Sequence, residues 1–178
     1  MASIKKNVMA GMISLVILPL SWGVQAASDT ATINITATVV DNTCTPEWTA
    51  AVPVNLGRAA VRDFTAPGAV GASSTFDLKL KDCGADTTKV KVTASGAADG
   101  SNSELFKNTG GATGVGIALF GDATQSTQLK PGSGEVEYDI AGKTDAVMTF
   151  KAELRQSADA KPAAGDVVSM VTLTMAYE

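Results

Sequence analysis

Over residues 31–39 apolar and polar side chains alternate without a break: Ala31, Ile33, Ile35, Ala37 and Val39 against Thr32, Asn34, Thr36 and Thr38. A β-strand sends successive side chains to opposite faces, so this stretch forms a ribbon with one apolar and one polar face. After residue 26 no segment shows a sustained period of 3.6. Short alternating runs punctuated by Gly, Asp, Asn and Pro follow one another instead, the pattern of an all-β sandwich. What the chain does turns on which core the apolar face of 31–39 enters, its own or a neighbour's.

The residues before this stretch read as an address. Lys5 and Lys6, an apolar run over 8–20 and the small-x-small sequence Val24-Gln25-Ala26 make residues 1–26 a secretory signal, cleaved after Ala26 or Ala27. The apolar run is about 13 residues, short of the ~20 a helix needs to span a bilayer. Cleavage leaves 152 residues, the size of one domain, and losing Lys5 and Lys6 takes the formal charge from −4 to −6. An acidic surface without a basic run argues against nucleic acid and anionic membranes as partners. Cys44 and Cys83 are the only cysteines. An even count in an exported chain reads as a disulfide.

Taken in order, residues 52–56 form a short apolar run ended by Gly57, and 58–74 read as a loop with weak strand character. Phe76, Leu78 and Leu80 alternate with Asp77, Lys79 and Lys81 in a half-buried strand leading to Cys83. Val90 and Val92 mark the next strand. Residues 97–113 read as a long polar loop anchored by Leu105 and Phe106. Residues 115–120 are a buried-type strand, Lys130-Pro131-Gly132 a turn, and Val136, Tyr138 and Ile140 a further alternating run. Residues 147–154 carry Phe150 and Leu154, and a loop with Pro162 follows. Residues 167–177 form the longest strand candidate, with Val167, Val171, Leu173, Met175 and Tyr177 on one face and Ser169 breaking the row. Its other face is partly apolar too, and no later segment remains to cover its edge. A bare edge of this kind invites another chain.

Catalytic chemistry finds little to work with. The chain has no histidine, which removes the commonest general base and metal ligand. Glu135 and Glu137 share one strand face and read as a solvated face, not a glycosidase pair. Gly142-Lys143-Thr144 lacks the earlier glycine of a phosphate loop, because position 137 is Glu137. Residues 99–104 lack the spaced acidic ligands of a calcium loop and read as a polar hairpin tip. Asn34-Ile35-Thr36 is a formal glycosylation sequon. No cofactor and no metal site is expected, and the chain does not read as an enzyme.

Together these pieces resemble a subunit of a Gram-negative chaperone–usher fimbria, of the type 1 pilin kind. The resemblance covers the whole mature chain. It rests on the alternating arm followed by Cys44, the Val54-Asn55-Leu56-Gly57 run and Phe76-Asp77-Leu78-Lys79-Leu80-Lys81-Asp82-Cys83. Gly114-Val115-Gly116-Ile117-Ala118-Leu119, Gly165 and the penultimate Tyr177 complete it. It implies an incomplete immunoglobulin-like sandwich of six strands over residues 41–178, its seventh strand supplied in trans, with residues 27–40 as a donor-strand extension. A periplasmic chaperone would lend a strand first, an outer-membrane usher would receive the subunit, and the arm of the next subunit would replace the chaperone. Peptide addition to a sheet edge is a general recognition mode, and chaperone–pilin complexes are among its examples. By matching positions, Ala31, Ile33, Ile35, Ala37 and Val39 would enter a neighbour's groove. Val167, Val171, Leu173, Met175 and Tyr177 would line this chain's own groove. Gly165, Tyr177 and the carboxylate of Glu178 would form the terminus that the chaperone recognises. The assembled fibre would then contact host surfaces.

One departure stands out: the family has glycine seven residues before the first cysteine, where this chain has Ala37. In a tight groove the added methyl costs about 1–3 kcal/mol. A self-contained secreted sandwich, binding carbohydrate or protein as an adhesin or lectin with the arm as its own first strand, is the alternative reading. Two-domain tip adhesins of the family, at about twice this length, speak against it.

Overall fold

The structure, a computed structural model, describes residues 43–48, 51–159 and 161–178. The expected signal over 1–26 and the extension over 27–40, with Ala31, Ile33, Ile35, Ala37 and Val39, lie outside the described residues. The described chain is all-β apart from a single 3-10 turn at Val61–Asp63. Its strands are β1 (Thr45–Pro46), β2 (Val70–Lys81), β3 (Lys89–Ser95), β4 (Phe106–Lys107), β5 (Val115–Gly121), β6 (Thr127–Leu129), β7 (Glu135–Asp139), β8 (Ala146–Gln156) and β9 (Thr172–Tyr177).

Two sheets hold them. The first runs β1-β2-β8-β5-β4, with β6 also on β5, and the second runs β7-β3-β9. Every strand pair is antiparallel. Alternation decides which side chains meet between the sheets. Val90, Val92 and Ala94 of β3, with Val136 and Tyr138 of β7, face Leu78 and Leu80 of β2 and Met148, Phe150 and Ala152 of β8, all in one buried cluster. Each fully buried aliphatic or aromatic side chain contributes about 1.5–3 kcal/mol. β5 is buried along its whole length, as its unbroken apolar run requires.

Tyr138 ties the layers together. Its hydroxyl donates to the Thr149 carbonyl of β8 at 2.7 Å and accepts from the Asp122 N–H at 3.1 Å. Burial, with a smaller contribution from the nearby Asp122 carboxylate, pushes its phenol up to about 12, against a weaker opposing effect of the Asp122 N–H bond. Asp122 has φ 76°, and its carboxylate accepts from the N–H and hydroxyl groups of Thr124 (2.6 and 2.8 Å), Ser126 (3.3 and 3.0 Å) and Thr127 (2.9 and 2.5 Å). Side-chain bonding to nearby main chain is why aspartate suits such a turn. The expected disulfide is formed: Cys44 and Cys83 are bonded, 39 residues apart in sequence, where β1 meets the end of β2. A bridge closing a loop of this length stabilises by about 3–4 kcal/mol.

The structure corrects several readings of the elements. Among the described residues the longest strand is β2 with 12 residues, and it starts at Val70, inside the segment read as a loop. Gly71 is the reason. A Cβ there would lie 2.3–2.9 Å from ring atoms of Phe64, so glycine lets that ring close the end of the core, where it is 4% exposed. The polar loop over 97–113 contains β4, whose Phe106 belongs fully to the core. Residues 52–56, read as a short apolar run, lie outside the strands, with Val52 and Val54 exposed. Residues 167–177 are not one strand either: ladder pairing covers only Thr172–Tyr177, because β3 ends at Ser95.

Candidate functional site

β9 pairs with β3 in the register Val90↔Tyr177, Val92↔Met175 and Ala94↔Leu173. Residues paired in this way share a face, so Tyr177, Met175 and Leu173 point inward with Val90, Val92 and Ala94. Burial falls off sharply from one strand to the next. Val90 and Val92 are 0% exposed, whereas Leu173, Met175 and Tyr177 are only partly buried against the core. β9 ends the β7-β3-β9 order, and among the described residues no strand pairs with its other edge. The Tyr177 hydroxyl is shifted upward by desolvation alone.

The same alternation continues before β9. Val167, Ser169 and Val171 are half-buried, while Asp166, Val168 and Met170 are exposed, Met170 at 84%. Val167 and Val171 pack against the core beside Leu173, Met175 and Tyr177. All five apolar residues expected on this face therefore form one row. Ser169 interrupts it with a buried hydroxyl that meets no hydrogen-bond partner.

Gly165 stands where the chain passes closest to the 108–113 loop. A Cβ there would lie 2.4 Å from Gly111 C and Ala112 N, so only glycine fits. At the other end, a main-chain oxygen of Glu178 accepts from Thr88 N (2.5 Å), Lys89 N (2.9 Å) and Thr88 Oγ1 (3.1 Å). The Glu178 side chain meets Lys91 Nζ at 2.7 Å, and that bond is the main cause holding the Lys91 ammonium above its usual range. Glu137 bonds Lys89 at 3.0 Å and is held low chiefly by that bond. Glu135 and Glu137 are thus a solvated strand face, as read from sequence. Exposed pairs of this kind contribute little to stability.

The other motifs resolve into turns. Asp99 Oδ1 accepts from Ser101 N and Asn102 N at 3.0 and 3.1 Å. Gly142 has φ 70°, and Lys143 Nζ donates to the Asp139 carbonyl at 3.2 Å. Among the described residues no group of three or more His, Cys, Asp or Glu could hold a metal ion. The site therefore offers two things, a row of half-covered apolar side chains and an unpaired strand edge. Sheet edges of this kind can add an extended chain. Sequence reasoning missed Asn108, Thr109, Gly110 and Asp166. The Asn-Thr-Gly-Gly run signals a turn but does not say that its target lies 55–60 positions downstream.

Comparison with known proteins finds relatives of the chain. Residues 33–178 match the family model described as "Fimbrial protein". The chain is 31% identical over 169 residues to the uncharacterized fimbrial-like protein YcbV of Escherichia coli strain K12, covering 92% of this chain and 95% of that protein. It is also 31% identical over 149 residues to long polar fimbria protein A of Salmonella typhimurium, covering 81% and 83%. In fold it is similar to the P pilus rod subunit PapA, with a TM-score of 0.59 at 17% identity over 76% of this chain and 99% of that one.

Proposed function

Because the chain belongs to the fimbrial protein family, it is a non-enzymatic structural subunit of a surface fimbria, and we propose that donor-strand exchange joins it to its neighbours. In this reading its immunoglobulin-like sandwich lacks one strand. Residues 27–40 of the next subunit lie along the free edge of β9, with Ala31, Ile33, Ile35, Ala37 and Val39 facing Val167, Val171, Leu173, Met175 and Tyr177. The observation that carries the reading is the drop in burial from β3 to β9 at an edge that pairs with no strand among the described residues.

The energetics favour a long-lived joint. Burying Ile33, Ile35 and Val39 contributes about 1.5–3 kcal/mol each, and main-chain bonds along the edge add to it. Donor arm and acceptor edge are different surfaces, so the contact is heterologous and propagates as a filament. An apolar groove left open during export would aggregate. This supports a periplasmic chaperone as its first occupant and an outer-membrane usher as the place of exchange, with Gly165, Tyr177 and Glu178 in the segment the chaperone holds. The test is to delete residues 27–38 and co-express the chain with its chaperone. The truncated subunit is expected to stay unpolymerised, and head-to-tail polymers of it would sink the proposal.

A further inference from the structure

The half-buried row is longer than the strand that carries it. Pairing with β3 stops at Ser95↔Thr172, yet the inward positions continue through Val171, Ser169 and Val167. A segment without a ladder partner frays unless its main chain is held elsewhere. The 108–113 loop holds it. Asn108 Oδ1 accepts from Val168 N at 2.8 Å and Gly110 N at 2.9 Å, while Asn108 Nδ2 donates to the Ala112 carbonyl at 2.8 Å. Thr109 N and Oγ1 both donate to the Val168 carbonyl, at 2.7 and 3.1 Å, and Ala112 N donates to the Asp166 carbonyl at 3.0 Å. Glycine makes the approach possible, since a Cβ on Gly110 would lie 2.2 Å from the Asp166 oxygen.

The parity of these bonds is informative. In an antiparallel ladder alternate residues direct both N–H and C=O to the same neighbour. Glu178 exchanges both bonds with Lys89 of β3, at 3.0 and 2.9 Å. Asp166 and Val168 have the same parity as Glu178, and Gly96, just past β3, comes close to the carbonyl of Met170, also of that parity. The loop therefore takes over β3's side where β3 ends. By the same parity the main-chain groups of Val167, Ser169, Val171, Leu173, Met175 and Tyr177 face the opposite edge, which pairs with no strand among the described residues.

We infer that Asn108 is a positioning residue that lengthens this edge, keeping Val167, Ser169 and Val171 in line so that an incoming strand pairs along six inward-facing positions instead of the three on β9. The inference rests on the donor-strand reading. To test it, the chain from Ala27 onward is refolded with excess synthetic peptide of residues 27–40, and amide hydrogen exchange and peptide dissociation are measured. In the wild type, peptide is expected to protect the amides of Val167, Ser169 and Val171 as well as those of Leu173, Met175 and Tyr177. In Asn108→Ala the first three lose that protection, the last three keep it, and peptide leaves about tenfold faster, the size of effect from one or two hydrogen bonds. Thr109→Ala, which removes only the hydroxyl contact to Val168, gives the same pattern more weakly and serves if Asn108→Ala does not refold. Unchanged protection and dissociation in these variants overturn the role of Asn108 alone. A wild-type chain in which peptide protects none of the six overturns donor-strand exchange itself.

Discussion

Met175→Ala asks whether the inward face of β9 is a finished core or half of one. In a finished core, Met→Ala costs about 2–5 kcal/mol. Met175 lies directly across from Val92, but Val92 is 0% exposed and Met175 only partly covered. In the donor-strand proposal, part of the methionine's burial is still to come with the incoming strand. Covering the remaining third or less of such a side chain is worth about 1 kcal/mol, or about fivefold in affinity. Val92→Ala is the matched control: it removes about 2–3 kcal/mol of stability from a residue that is already 0% exposed. The assay is dissociation of labelled 27–40 peptide from the refolded chain, alongside a urea unfolding midpoint. Met175→Ala is expected to speed dissociation about fivefold, and Val92→Ala to lower the midpoint while leaving the dissociation rate within twofold of wild type. If both variants lower the midpoint alike and neither changes dissociation, Met175 is an ordinary core residue and the half-open groove is refuted.

Two further outcomes are expected. Ser169→Ala removes a hydroxyl that is already buried without a hydrogen-bond partner, a burial that costs about 1–3 kcal/mol; the urea midpoint of the chain should rise, and a lowered midpoint would refute the reading of that hydroxyl as unsatisfied. Burial pushes the Asp122 carboxyl up, but hydrogen bonds from Thr127, Thr124 and Ser126 outweigh it and hold the group well below the usual carboxylate range. A depressed folded value stabilises above the unfolded pKa of about 4, and that stability is lost as pH falls through the folded value. Asp122→Asn should therefore lower the urea midpoint at pH 7 and flatten the wild-type loss between pH 7 and pH 3; parallel declines in the two proteins would refute the role of this turn.

Which side each residue faces was legible in the chain itself. Alternation placed Leu78 and Leu80, Val90 and Val92, and Val136 and Tyr138 inward, and all six are buried. The row of Val167, Val171, Leu173, Met175 and Tyr177 could be read in the same way, as could the Cys44–Cys83 pair on the expectation of export. These are local properties, because a strand's period of two depends only on covalent neighbours. What lies beside each strand depends on residues far apart in sequence, and no local period encodes it. The tertiary structure alone decided that β3 stops at Ser95 and that the Asn108 loop takes over its side next to Asp166 and Val168. It also decided that Phe64 closes over Gly71 to start β2 early. An edge without a partner is a fact about the space next to a strand, so it appears only once every other strand has found its place.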